Sequence, residues 1–262
     1  MTRSGSRAAR LASRPIMYIN LLHLGRVPYA EALEIQRKVI AARKAGAIAD
    51  TLLMLEHPPV LTLGRNAHRS NILASDDLLA RKGVELHEVN RGGDVTYHGP
   101  GQLIGYPIVD LRGDLPGKKG PHLGPVDYVR LMEEALVRTC ANFGVMTQRI
   151  CKRTGVWTLA GGTIPEKKIA AIGVHVSQGV TSHGFALNVT TDLRDFEWIV
   201  PCGITDRTVT SLELEADPTR LEATMENALN AAARNFGRVF QRQMLWCNSL
   251  DALLEPAATL VR

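Results

Sequence analysis

Aromatic residues make up only 5% of the 262 positions, and the chain holds four cysteines, Cys140, Cys151, Cys202 and Cys247. The cysteines form no CxxC pair and no compact metal-ligand spacing, and a chain of this length needs no disulfide staples. A reducing compartment fits that usage. No apolar run approaches the ~18 uninterrupted residues that a bilayer-spanning helix requires, so no transmembrane segment is expected. The eight histidines include no pair at the i, i+4 spacing of a helical metal site, and a zinc site is rejected. Phosphate chemistry lacks its signatures too. The glycine-rich run near residue 95 does not fit GxxxxGK[ST], and it lacks the strand–GxGxxG–helix context of a dinucleotide site. Net charge is +5, from 31 basic and 26 acidic residues. That excess is too mild to point to nucleic acid, and no basic helix is interleaved with aromatics. It suits an acidic protein partner.

What remains is an ordinary globular composition, 45% hydrophobic and 22% charged, long enough to bury a substantial core. The first fifteen residues carry Arg3, Arg7, Arg10 and Arg14 with several serines and no acid. They read as a disordered basic leader rather than an organellar transit peptide, which would imply the mitochondrial matrix; otherwise a cytoplasmic protein is expected. Residues 16–240 read as one domain, and 241–262 as a short appendage.

Within that domain, strands are predicted at 16–24, 51–55, 60–63, 84–89 and 103–109. Four more are expected at 145–149, 155–159, 169–177 and 180–189, the last two alternating as a hairpin. Helices are predicted at 28–45, with proline in the first turn and Gly46 at the end, and at 75–82, capped by Ser75. Further helices are expected at 126–143 and 218–240. On the third, Val129, Met132, Leu136 and Cys140 share one face, which makes Cys140 a core residue. Strands interrupted by a few long helices define an α+β class, with helices flanking a mixed, mostly antiparallel sheet.

Three features carry chemistry. Cys202 lies between Pro201 and Gly203, in a turn that would present its sulfur. A thiol of reference pKa ~8.5 attacks carbonyl carbon only as the thiolate, so reactivity needs an electropositive neighbour. A buried small hydrophobe explains Cys202 equally well. Lys168 opens the apolar strand Ile169–Val174 and would supply that neighbour, or accept the thiol proton if desolvated. Taken alone it reads as a solvated strand end, like Lys167. The run Arg91-Gly92-Gly93-Asp94-Val95-Thr96-Tyr97-His98-Gly99-Pro100-Gly101 holds four glycines. Glycine admits positive φ and close ligand approach, which fits a slot for an extended, uncharged arm, or simply a hairpin turn. Of the histidines only His98 and His183 sit in candidate site segments, where a Cys-His hydrolase would need one as base.

Taken together and in order, these segments resemble the lipoyl(octanoyl) transferases. The matching stretches are Arg91 through Leu103, Lys168 through Gly173, His183 through Asn188, and Pro201 through Ile204, within a span of about 16–214. The resemblance implies the fold shared with lipoate and biotin protein ligases. Cys202 would be the acyl-thioester nucleophile, and Lys168 the group that lowers its pKa. The substrate-binding segments would be Arg91, Gly92, Gly93, Asp94, Val95, Thr96, Tyr97 and His98, then Ala171, Ile172 and Gly173, then Gly184, Phe185 and Ala186. A stretch from Ala160 to Glu166, with two glycines and a proline, resembles a lengthened hairpin connection just before Lys168.

The activity so implied moves octanoyl from acyl carrier protein to a lysine of lipoyl domains, in 2-oxoacid dehydrogenases and the glycine cleavage H protein, with no cofactor. A thioester already carries the activation for amide formation, which agrees with the missing phosphate loop. Three other readings compete: an ATP-dependent lipoate or biotin ligase on the same fold, a non-catalytic carrier-protein binding module, and a Cys-His thioesterase.

Overall fold

The structure, a computed structural model, describes residues 17–162, 164–200 and 208–255. The basic leader therefore lies outside the described residues, as does Cys202. Eight strands form the main sheet: β1 (Tyr18–Arg26), β2 (Thr51–Glu56), β6 (Gln102–Ile108), β7 (Thr147–Ile150), β8 (Arg153–Thr158), β9 (Lys168–Ser177), β10 (Val180–Asn188) and β11 (Gln243–Trp246). Their spatial order is β11-β1-β2-β6-β10-β9-β8-β7. A smaller sheet, ordered β4-β3-β5, joins β3 (Val60–Leu63), β4 (Glu85–Glu88) and β5 (Val95–His98). Pairing is parallel for β11 with β1, β1 with β2, and β3 with β4, and antiparallel elsewhere. The expected mixed, mostly antiparallel α+β architecture is what forms.

Helices cover both faces of the main sheet. The helix α3 (Pro125–Asn142) starts with proline, whose missing N–H costs nothing in a first turn, and packs with α5 (Met225–Phe240) on one face. Its predicted stripe points inward: Met132, Leu136 and Cys140 are fully buried, and Val129 packs against the same core. Burial raises the Cys140 thiol to about 12, so this cysteine is an inert core residue. The helix α1 (Tyr29–Lys44) lies on the opposite face, where Ile35 and Val39 meet Leu53, Ile104 and Ile108. A third cluster sits beneath the small sheet. It joins Leu61, Val95 and Tyr97 to Leu79 of α2 (Asp76–Arg81) and to Phe196 and Ile199. The Ser75 cap is present, with its hydroxyl accepting from the Leu78 N–H.

The β9–β10 hairpin forms as expected. It turns at Gln178 and Gly179, both at positive φ, the twist that a two-residue hairpin loop demands. Three elements depart from sequence expectation. The last long helix begins at Met225, not Pro218, because Thr224 caps it by accepting from the Asn227 N–H. Upstream of it stand only the short helix α4 (Leu212–Glu215) and a turn pinned by Asp217, which accepts from the Thr219 N–H. The glycine-rich run is not all loop, because Val95–His98 form β5, buried throughout. The segment after Gln241, read as an appendage, supplies β11 at the sheet edge. It also supplies α6 (Leu250–Leu254), whose Leu253 is buried.

Candidate functional site

A cavity of about 340 Å³ lies between the β9–β10 hairpin and the glycine-rich run. Its volume is at the small end of the ~300–1,000 Å³ typical of small-molecule sites. Thirteen of the sixteen residues expected at a site line it: Arg91, Gly92, Gly93, Asp94, Thr96, His98, Lys168, Ala171, Ile172, Gly173, Gly184, Phe185 and Ala186. Val95 and Tyr97 do not. Side chains alternate across a strand, so β5 turns Thr96 and His98 to the cavity and Val95 and Tyr97 into the third core cluster. There Tyr97 meets Phe196 and Trp198 edge-on, and its hydroxyl donates to Asp195 at 2.6 Å. These two are packing residues. Cys202, the sixteenth, lies outside the described residues.

The roof of the cavity is tied down by main chain. The Gly92 N–H donates to the Val174 carbonyl at 2.9 Å, which draws the glycine-rich run onto β9. Gly173 permits that approach, since a Cβ there would lie 2.9 Å from the Gly92 oxygen and 3.2 Å from Arg91 Cδ. Arg91 is only 7% exposed. Its Nη2 donates to the Thr62 carbonyl (2.7 Å) and hydroxyl (2.8 Å), and its Nη1 to the Gly92 carbonyl (3.0 Å). The guanidinium therefore clamps the small sheet to the loop while placing positive charge beside the cavity.

The floor is a set of buried rings. His57 donates from Nδ1 to the Val27 carbonyl at 2.7 Å, which leaves Nε2 to accept from the Tyr106 hydroxyl at 2.7 Å. His98 Nδ1 donates to Gln102 Oε1 (2.7 Å), Gln102 to Asn188 Oδ1 (2.8 Å), and Asn188 to the Thr210 carbonyl (2.9 Å). Tyr29 stacks on His98 with centroids 6.2 Å apart. Burial is the main cause of every shift here. It holds the His57 and His183 imidazoles down at about 4 and His98 at about 3, and lifts the Tyr29 hydroxyl to about 12. It also lifts Tyr106 well above its ordinary value. The floor is neutral at physiological pH.

The opposite end is basic. Lys168 is 9% exposed, with Nζ 4.9 Å from the centroid of the Trp157 ring, within cation–π range. Its main chain pairs with the segment that follows Cys202: the Lys168 N–H donates to Thr208, and the Thr210 N–H donates to Lys168, both at 2.9 Å. Upstream of Cys202, the Val200 N–H donates to Asn71 at 2.8 Å, and Asn71 in turn donates to Asp94 of the cavity wall. Lys167 is not a free strand end, since its Nζ meets Glu215 Oε1 at 2.9 Å.

Five lining residues escaped the sequence: Tyr29, Tyr106, Lys152, Arg153 and Thr154. Tyr106 carried a usable signal, since strand alternation puts it on the face of β6 that bears Gln102. Lys152 to Thr154 reach the cavity because β8 pairs with β9, bringing Trp157 opposite Lys168. Among the described residues no group of three or more His, Cys, Asp or Glu side chains is placed to hold a metal ion. Nor is any described helix long and apolar enough to cross a membrane.

Residues 28–236 match the model of the family described as lipoyl protein ligase A/B catalytic domain. The chain belongs to that family. Within it, the chain is 66% identical to an octanoyltransferase of Acidobacterium capsulatum, over 94% of this chain and 100% of that protein. It is 52% identical to an octanoyltransferase of Koribacter versatilis over 90% of each chain. Solved structures agree on the fold. The bipartite lipoate protein ligase of Thermoplasma acidophilum superimposes with a TM-score of 0.66 at 18% identity, over 91% of this chain and 90% of that one. A lipoate-protein ligase A bound with ATP gives 0.65 at 16% identity, over 91% and 92%.

Proposed function

We infer that this enzyme moves an octanoyl group from the thioester of an acyl carrier protein to a lysine of lipoyl domains, by way of an acyl thioester on Cys202. Octanoyl transfer in protein lipoylation rests on relatives named octanoyltransferase at up to 66% identity, which favour a transferase over an ATP-dependent ligase. The role of Cys202 is supported by one observation above the rest. The described chain on either side of it is tethered to the cavity, through Val200 to Asn71 and Asp94 upstream and through Thr208 and Thr210 to Lys168 downstream.

The chemistry then follows in two steps. In the first, the Cys202 thiolate attacks the octanoyl carbonyl, the bond to the carrier sulfur breaks, and the carrier leaves as a thiol. Lys168 stabilises the attacking thiolate, and its ammonium returns the proton to the departing sulfur. In the second, the acceptor lysine's amine attacks the new thioester, the bond to Cys202 sulfur breaks as the amide forms, the neutral Lys168 takes the amine's proton, and Cys202 leaves as the thiolate, which restores the starting state. The acyl chain lies along Ala171 to Gly173 and Gly184 to Ala186, beneath the loop from Arg91 to His98. Val95 and Tyr97 shape that slot from behind, without lining it. The acceptors are lipoyl domains of 2-oxoacid dehydrogenases and the glycine cleavage H protein, and the location is cytoplasmic.

Intact-protein mass measurement tests the reading directly. Mixed with octanoyl carrier protein and no ATP, the wild-type protein should gain one octanoyl mass, and Cys202→Ala should gain none. An adduct that survives in the alanine variant would overturn the role of Cys202.

A further inference from the structure

Strand alternation breaks down in β9 next to Lys168. Lys168 and Ala171 both line the cavity, while Ile169 and Ala170, consecutive in the strand, both belong to the core beneath α3. Successive side chains of a regular strand point to opposite faces, so two neighbours on one face mark an extra residue. The register shows it: Val156 stands opposite Ala170 and Trp157 opposite Lys168, which leaves Ile169 as the extra one. Without that bulge Lys168 would share the face of Ala170, and its ammonium would turn into the core. The bulge is what delivers Lys168 to the cavity.

The partner strand is irregular at the same level. Gln148 stands opposite Trp157 and Ile150 opposite Arg153, so Thr154, Gly155 and Val156 of β8 together face Arg149 of β7. The middle residue, Gly155, is buried at φ 121. A side chain does not fit there: a Cβ would lie 2.6 Å from the Ala170 carbonyl oxygen and 3.4 Å from Lys168 Cε. Among the described residues Gly155 is in register with none on either neighbouring strand, and its N–H donates to Glu133 Oε1 at 3.0 Å. Glu133 belongs to α3, where it lies one turn from Val129 and from Leu136 of the apolar stripe. It is fully buried, with Oε2 paired to Arg130. A carboxylate is costly in such a place, and a methionine would fill the space without the desolvation. What a methionine cannot do is accept the Gly155 N–H, a buried donor that the register slips take out of the sheet ladder. We propose that Glu133 is a positioning residue for the transfer reaction: by holding Gly155 it fixes the bulge that aims Lys168 at the thioester. The proposal rests on the octanoyl-transfer reading above. Glu133 is not part of the cavity lining, so its effect passes through Lys168.

The test is a double-mutant cycle, read as the rate at which the enzyme gains one octanoyl mass from octanoyl carrier protein. Glu133→Met removes the acceptor and keeps the bulk. It should slow acylation at saturating donor by about tenfold to a hundredfold, the scale of a ~1 Å displacement near the reacting atoms, with KM little changed. In a Lys168→Ala background the same substitution should cost less than about twofold, because the group it aims is gone. A merely structural role would cost the same factor in both backgrounds, and that result in folded proteins overturns the proposal. Glu133→Asp keeps the charge but draws the carboxylate back from Gly155, whereas Glu133→Gln keeps the reach and gives up the charge. Positioning requires Glu133→Asp to be the slower of the two. The reverse order overturns the proposal, and this pair decides the matter should Glu133→Met not fold. If the wild type gains octanoyl but the cycle is additive, the transferase reading stands and the positioning role alone falls. If the wild type gains no octanoyl, the transferase reading fails, and the positioning role with it.

Discussion

The two ends of the cavity are built by opposite means. At the floor, side chains hold one another: both nitrogens of His57 are bonded, and His98 anchors a chain of amides that runs to the Thr210 carbonyl. At the mouth, the geometry is carried by main chain, with Lys168 paired to Thr208 and Thr210, and Val200 to Asn71. Buried side-chain networks are rigid and expensive to disturb. Main-chain tethers leave side chains available for chemistry. The difference predicts a division of labour: changes at the mouth should abolish turnover and spare the fold, while changes at the floor should do the reverse.

The sharpest way to break that comparison is at the mouth. Cys202→Ala should remove acyl transfer entirely, and Lys168→Ala should lower its rate by at least about a hundredfold, the usual contribution of a positioned proton-transfer group. Both should melt within a few degrees of wild type by circular dichroism. A Lys168→Ala protein of normal activity would remove the mouth from the chemistry.

At the floor the largest effect should come from acid. A histidine whose folded pKa is depressed binds fewer protons folded than unfolded, so its stabilising contribution is complete above the unfolded value near 6.5. That contribution is lost as pH falls toward about 4, and stability levels off below. For His57 and His183 the full loss is about 3 kcal/mol per ring. Urea unfolding repeated across this window should show the midpoint falling steeply, and a flat profile would contradict a neutral floor.

Next in size, Arg91→Ala removes three hydrogen bonds to Thr62 and loosens the loop, at a cost of about 2–3 kcal/mol in stability by denaturant titration. The smallest effect should be Tyr106→Phe, which leaves His57 Nε2 without its donor and costs about 1 kcal/mol, visible as a modest shift in melting temperature.

The same contrast explains what could be read beforehand. Elements with long, regular patterns were legible: the β9–β10 alternation, the Met132–Leu136–Cys140 stripe, the Ser75 cap. So were the segments that carry the resemblance, whose glycines and small residues sit where main chains approach closely, as at Gly173. What escaped depends on partners distant in sequence. Four residues of β5 inside a glycine-rich run gave too short a pattern to reveal that Val95 and Tyr97 face the core. Tyr29, on α1, reaches the site only because that helix docks on β6 and β10. Pro218 offers a helix start in the sequence, but the cap forms six residues later, where the Thr224 hydroxyl accepts from the Asn227 N–H.

The edge strand β11 has a further consequence, for the order in which the fold can be completed. It pairs in parallel with β1 across a separation of 225 residues, Tyr18 beside Gln243. During synthesis β1 leaves the ribosome long before β11, and one of its two edges has no partner until the 225 residues between them have followed. Contacts so remote in sequence form late and slow folding. A nascent chain of this protein thus carries an open strand edge for most of its translation, a natural binding point for a chaperone and a natural starting point for aggregation when none is at hand.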